Sequence, residues 1–213
     1  MKSILFVLLI LVAWPVCAYE DGDWQHWNCL VFDGKLTERI GLGLTELVKF
    51  GDDMSEFSYH MSEISLRVKV NNNFSLVPGF RETFCTTSDG WTQEHMPSLA
   101  GVYKWKAGKF KLMDRLRVEF ADAETAEDTW KLRKMLKLTF PQGRMGNKAV
   151  PYVTGEIFTT LDDIELNQTR LFLGTTCQVR EDVALDFFYL WRRDKKGEWK
   201  DTNAFGIKFK FGF

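Results

Sequence analysis

Residues 203–213 read Asn-Ala-Phe-Gly-Ile-Lys-Phe-Lys-Phe-Gly-Phe. Phe205, Ile207, Phe209, Phe211 and Phe213 alternate with Gly206, Lys208, Lys210 and Gly212. A period of two describes a strand with one apolar and one polar face, because successive Cβ atoms point to opposite sides. A soluble domain gains little from an apolar stripe carried to its last residue, since termini fray into water. A strand that closes a barrel in lipid does gain, because the stripe meets acyl chains. Phe209, Phe211 and Phe213 are therefore the candidate signal for the outer-membrane assembly machinery. That machinery and outer-membrane lipid are the expected partners.

The same alternation runs through the chain. Phe110, Leu112, Leu116, Val118 and Phe120 alternate with Lys111, Arg115, Arg117 and Glu119. Trp130, Leu132, Leu136 and Leu138 alternate with Lys131, Arg133 and Lys137. Wound as helices, these residues would form no coherent apolar stripe. Strands are expected at 24–32, 40–50, 57–70, 74–84, 93–105, 110–120, 129–140, 150–159, 168–179, 184–193 and 202–213. Several reach the roughly ten residues that a tilted transmembrane strand needs. The fold class expected is all-β: an antiparallel up-and-down transmembrane barrel of about ten to twelve strands. Eleven segments sit awkwardly with the even strand numbers of single-chain bacterial barrels. The number stays open at ten, with residues 24–32 in the lumen or at the rim, at eleven, or at twelve, with one strand hidden.

Residues 1–18 resemble a cleaved signal peptide: a basic start, the apolar run Ile4–Val12, then Val16 and Ala18 before the cut. Residues 19–213 would then form a single barrel domain in the outer membrane of a Gram-negative-type cell. Mean hydropathy is −0.21, which barrel strands reach by averaging lipid-facing and lumen-facing residues. A net charge of −1 argues against a nucleic-acid partner. Cys29, Cys85 and Cys177 have neither disulfide-framework nor zinc spacing, and no metal or cofactor is expected. With residue 213 at the periplasmic end, the connections at 51–56, 86–91, 121–128, 161–167 and 194–201 fall outside. They are acidic and expected to be the longer set.

The segments also resemble, in order and spacing, a known family. The residues that carry the likeness are Trp27-Asn28, Phe50-Gly-Asp-Asp53, Tyr59-His60, Arg115-Leu-Arg117-Val-Glu119 and Trp130-Lys-Leu-Arg133. Further on come Pro151-Tyr152, Glu156-Ile-Phe158, Arg170-Leu-Phe172 and Trp199-Lys-Asp-Thr-Asn203. The chain resembles domain of unknown function 2490, a set of outer-membrane β-barrels without established activity. The resemblance implies architecture and location, and no mechanism.

Chemistry could sit on either face. The face opposite the apolar rows carries Arg67, Arg81, Arg115, Arg117, Lys131, Arg133 and Arg170, with Glu63, Glu94, Glu119, Glu156 and Asp186 as the acids on the same face. Such a lumen is either a side-chain-filled charge network or a narrow, anion-leaning channel. On the apolar face, His60-Met61-Ser62 opens the third segment, and folding the preceding turn brings Glu46 opposite. Ser62 as nucleophile, His60 as base and Glu46 as orienter would make an outer-leaflet lipid hydrolase. The non-enzymatic barrel is the favoured reading, because no oxyanion donors can be assigned. A soluble periplasmic barrel or sandwich, with its apolar face turned inward, is the remaining alternative. Trp24, Trp27, Trp91, Trp105, Trp130, Trp191 and Trp199 fall near segment ends, where membrane barrels place aromatic girdles.

Overall fold

The computed structural model describes residues 21–87, 90–124, 127–141, 149–162 and 164–213. The proposed signal peptide lies outside them. Eleven strands follow in chain order: β1 (Asp23–Lys35), β2 (Ile40–Gly51), β3 (Glu56–Lys69), β4 (Phe74–Thr87), β5 (Gly90–Ala107), β6 (Phe110–Ala123), β7 (Thr129–Thr139), β8 (Ala149–Thr160), β9 (Glu165–Gln178), β10 (Val183–Lys196) and β11 (Glu198–Gly212). Each pairs antiparallel with the next, and β1 pairs with β11 to close the barrel.

The closing pair is parallel: Trp24 lies beside Asn203, Leu30 beside Phe209 and Phe32 beside Phe211. Eleven, within the expected ten to twelve, is the strand number, and residues 24–32 stand in the wall, neither in the lumen nor at the rim. The reason is geometrical. With an odd number of up-and-down strands, first and last run the same way, so the sheet can close only through one parallel ladder. Stacked rings reinforce it, Phe32 on Phe211 at 5.0 Å and Trp24 on Phe205 at 5.3 Å between centroids. Phe213 continues the seam. Its N–H donates to the Asp33 carbonyl at 3.2 Å, and its carbonyl accepts from the Lys35 N–H at 2.9 Å.

The two faces have opposite chemistry. Ile64, Leu66, Leu76, Phe80, Leu99, Leu116, Leu136, Leu171, Leu173 and Phe205 are exposed on the outer wall. Gln25, Lys49, Arg81, Arg117, Glu119, Glu156, Asp186 and Arg192 are buried inside. A soluble barrel would reverse this, and the structure does not. Trp24, Trp91, Trp130 and Trp199 are exposed near one end of the wall, called here the loop end, and Tyr103 stacks against Trp105 near the other. Trp27 is the exception among the tryptophans: it points inward and is buried, packed with Phe188, Leu190 and Ala204. That small apolar cluster occupies the β10, β11 and β1 side of the lumen. Two rings lie flat on bare backbone there. A Cβ on Gly206 would stand 2.1 Å from the Phe188 ring, and one on Gly174 would stand 2.5 Å from Tyr152.

The expected difference in connection length is absent. Residues 194–201 are not a loop; β10 and β11 pair through them and turn on Gly197, whose φ of 76° suits glycine. Long hairpins replace long loops at that end. The β2–β3 turn is the distinctive one. Asp52, Asp53 and Met54 all have positive φ, and the Asp53 and Met54 N–H groups donate to the Asp23 carboxylate and the Trp24 carbonyl. These bonds hold the turn over the start of β1 and offset the cost of left-handed backbone at non-glycine residues.

Candidate functional site: a basic cavity inside the barrel

The lumen fills from the loop end downward. On β1, the Trp27 indole N–H donates to Gln25 at 2.9 Å, and Gln25 donates to Asp23 at 3.0 Å. Asp194 accepts from Arg192 and Gln168 beside it. Lys131 donates to Glu94 at 2.7 Å. Gln25 and Thr83 have almost no exposed surface, and Thr202, Arg192 and Asp194 are buried. Buried, hydrogen-bonded side chains therefore crowd this end of the lumen.

Below this layer lies the first part of the charge network. Glu63 on β3 accepts from Arg81 Nη2 at 2.8 Å and from Arg117 Nη2 at 2.9 Å. Glu119 completes the group, with Arg81 at 3.2 Å and Arg117 at 3.4 Å. Two acids meet two guanidiniums, so the charges balance. Glu63 shares the inward parity of these residues, as expected from the sequence. That Glu63 binds arginines from β4 and β6 is invisible to periodicity, which assigns faces and not partners across a lumen.

The second part does not balance. Glu156 on β8 accepts from Arg133 Nη2 at 2.8 Å and from Arg115 Nη2 at 3.2 Å, and Arg170 Nη1 stands 3.9 Å away. One carboxylate thus faces three guanidiniums. The Nε atoms of Arg115, Arg117, Arg133 and Arg170 are buried and have no hydrogen-bond partner among the described residues. Aromatic faces take part of the charge: Arg133 and Arg170 lie over Phe158 at 4.8 and 4.5 Å, and Lys49 lies over Tyr59 at 3.6 Å. A ring quadrupole contributes about 0.5–2 kcal/mol to such a contact, less than a buried carboxylate would.

These groups surround a cavity of about 350 Å³. Nine cationic side chains line it: Lys49, Arg81, Arg115, Arg117, Arg133 and Arg170 toward the loop end, and Lys137, Lys208 and Lys210 farther down. The acids lining it are Glu63, Glu156 and Asp186. Asp186 accepts from Lys210 and from the Tyr152 hydroxyl, the latter at 2.7 Å. Counting Glu119, five positive charges remain unmatched among the described residues. Met113 and Lys137 also border a vestibule of about 650 Å³ toward the C-terminal end, which Lys104, Lys106 and Lys111 line without any carboxylate. The cavity thus leads past Met113 and Lys137 to a cationic mouth at the C-terminal end. Arg67 lies at that mouth, apart from the inner network, in a two-pronged pair with Asp33 at 2.8 and 3.1 Å.

The outward set is also assembled. Glu46 and Ser62 are direct cross-strand partners, and Val48 pairs with His60. Ser62 Oγ donates to Glu46 Oε2 at 2.7 Å, and His60 Nε2 lies 2.9 Å from the same oxygen. The carboxylate stands between hydroxyl and imidazole, whereas a Ser-His-acid relay needs the imidazole in the middle. A second set continues the row: Glu82 pairs with Ser62 on one side and His95 on the other. His95 Nε2 lies 3.3 Å from Glu82 Oε1, and Gln93 donates to the same oxygen. Among the described residues, no group of three or more His, Cys, Asp and Glu side chains could hold a metal ion. Cys29, Cys85 and Cys177 form no disulfide.

Among solved structures, the chain is similar to the translocator domain of autotransporter NalP from Neisseria meningitidis. Identity is 14%, the match covers 84% of this chain and 76% of that one, and the TM-score is 0.45. It is also similar to the siderophore receptor PirA from Pseudomonas aeruginosa, at 12% identity over 78% of this chain and 36% of that one, with a TM-score of 0.29. The curated proteins contain no match. Residues 24–203 match the family described as protein of unknown function DUF2490. That stretch takes in every strand from the second residue of β1 to the middle of β11, and the chain belongs to the DUF2490 family.

Proposed function

We propose that this chain is an integral outer-membrane protein and that it serves as a structural barrel, neither enzyme nor open pore. The observation that carries the reading is an apolar outer wall around a lumen packed with charge. Apolar rows facing water on every strand would be an aggregation surface; facing acyl chains they need no cover. The described strands are long enough to span a hydrocarbon layer at a tilt. A leader removed at the inner membrane delivers the chain, and the assembly machinery reads its last strand. The crowded loop end supports a plugged barrel over a channel.

Planar-bilayer recording with the purified protein tests the plug. No steady conductance is expected. A steady anion-selective current, weakened by Arg115→Glu with Arg133→Glu, would put the channel in its place.

The outward Glu46, His60 and Ser62 set gives the hydrolase a specific footing, because its three members do meet. Its bonding order argues the other way: the Ser62 proton is directed at a carboxylate, and the imidazole has no contact with the hydroxyl that would let it act as base. A fluorophosphonate probe should leave Ser62 unlabelled. Labelling at that residue, with lipid hydrolysis that Ser62→Ala abolishes, would establish the enzyme.

A further inference from the structure

A barrel that carries five positive charges unmatched among the described residues around an inner cavity must meet their cost in some way. Buried cations without partners are among the most expensive features a fold can hold. The aromatic faces of Phe158 and Tyr59 offset only part of it. Around Glu156 three arginines share one carboxylate, and the buried Nε atoms of those arginines have no acceptor among the described residues. Farther down, Lys137 lies over the Tyr152 ring at 3.6 Å and makes no ion pair among the described residues. Guanidinium groups approaching from β6, β7 and β9 suit a compact ligand that presents acceptor oxygens on several sides. A halide brings one charge and no pair of oxygens to match a guanidinium fork, and a monocarboxylate brings only one charge. The cavity, about 350 Å³, is at the small end of ligand sites. A cationic vestibule lies at the C-terminal end, which the orientation expected from the sequence turns to the periplasm.

We propose that this cavity binds a small, water-soluble, multivalent oxyanion of the phosphate class, held chiefly by Arg115, Arg133 and Arg170 and admitted from the C-terminal mouth. The inference rests on the reading of the lumen as closed at its loop end. A phosphorylated lipid headgroup shares the chemistry; the aqueous vestibule favours the soluble source.

Calorimetric titration of the purified full chain in detergent micelles at low salt tests it. The probes are inorganic phosphate, pyrophosphate and a short-chain phosphatidate, with chloride as the ionic-strength control. Pyrophosphate should bind once per barrel, and affinity should fall as salt screens the cavity mouth. Arg133→Gln and Arg170→Gln should each weaken it about tenfold or more, the usual loss for a charge-assisted bond. Lys137→Gln removes a cation that pairs with no acid, so it leaves no orphaned carboxylate and should still fold; it too should weaken binding. Lys200→Gln, at the loop end, should not. Folding of each variant is read from heat-dependent mobility on gels. Failure of a folded barrel to bind pyrophosphate, or binding that the three cavity variants leave unchanged, would overturn the site. Binding of the phosphatidate alone would overturn the soluble source. Steady conductance with pyrophosphate binding intact would sink the plug and leave the site standing, so the two failures read differently.

Discussion

Glu156 shows how one side chain sets the character of this lumen. It is buried, and three arginines depend on it. Glu156→Gln should therefore destabilise the barrel by about 3–5 kcal/mol, the cost of leaving buried charge unpaired. Arg67→Gln should cost about 1 kcal/mol or less, because its pair with Asp33 is half exposed at the mouth. Urea unfolding followed by tryptophan fluorescence compares the two, and equal losses would refute the distinction between inner network and rim. Gly206 makes a different point. Its missing Cβ is what lets the Phe188 ring lie on the strand. Gly206→Ala should lower the unfolding midpoint, and Phe188→Leu in the same chain should restore part of the loss. A double-mutant cycle without coupling would show that the ring moves aside freely. Parity alone gathered the arginines on one face, because a strand's period assigns every residue to a face. It could not pair them, since Glu63 meets Arg117 across 54 positions of sequence.

At the scale of the element, alternation announced all eleven strands, and the structure extends most of them by a few residues at the loop end. The extension was hidden because those residues are polar on both faces, as in Asp194, Lys195 and Lys196. The tryptophan rule failed at Trp27, because an aromatic near a strand end looks the same whether it turns out to lipid or in to a core. The closing ladder was hidden as well: an odd count signals a parallel pair only to a reader who accepts that the sheet closes. Paired cysteines test that ladder. With Cys29, Cys85 and Cys177 replaced by Ser, Leu30→Cys with Phe209→Cys should form a disulfide, since neighbouring strands lie about 4.8 Å apart, within disulfide reach. Leu30→Cys with Phe205→Cys should not. The opposite result would place β1 outside the wall. The final strand carries its own prediction. Deleting Phe213 should reduce assembled barrel far more than Lys210→Ser, because Phe213 bonds β11 to β1 and packs its ring on Gly34. Equal amounts in the membrane would detach that residue from assembly.

For the whole molecule, polarity is inverted relative to a soluble protein: ion pairs occupy the centre and leucine, isoleucine and phenylalanine the surface. Each row is readable in the sequence as every second residue of a strand, and only closure of the sheet decides which row faces inward. The cavity was the least legible feature, because it arises where large side chains fail to fill the space between distant strands. The central claim is that this inverted barrel lives in a membrane. The most direct measurement is separation of envelope membranes on a density gradient, followed by washing with urea or carbonate. The account predicts that the chain stays in the outer-membrane fraction after washing and migrates faster on gels unheated than boiled. Release into the soluble fraction would contradict it, because an apolar wall that leaves the bilayer intact was never facing lipid.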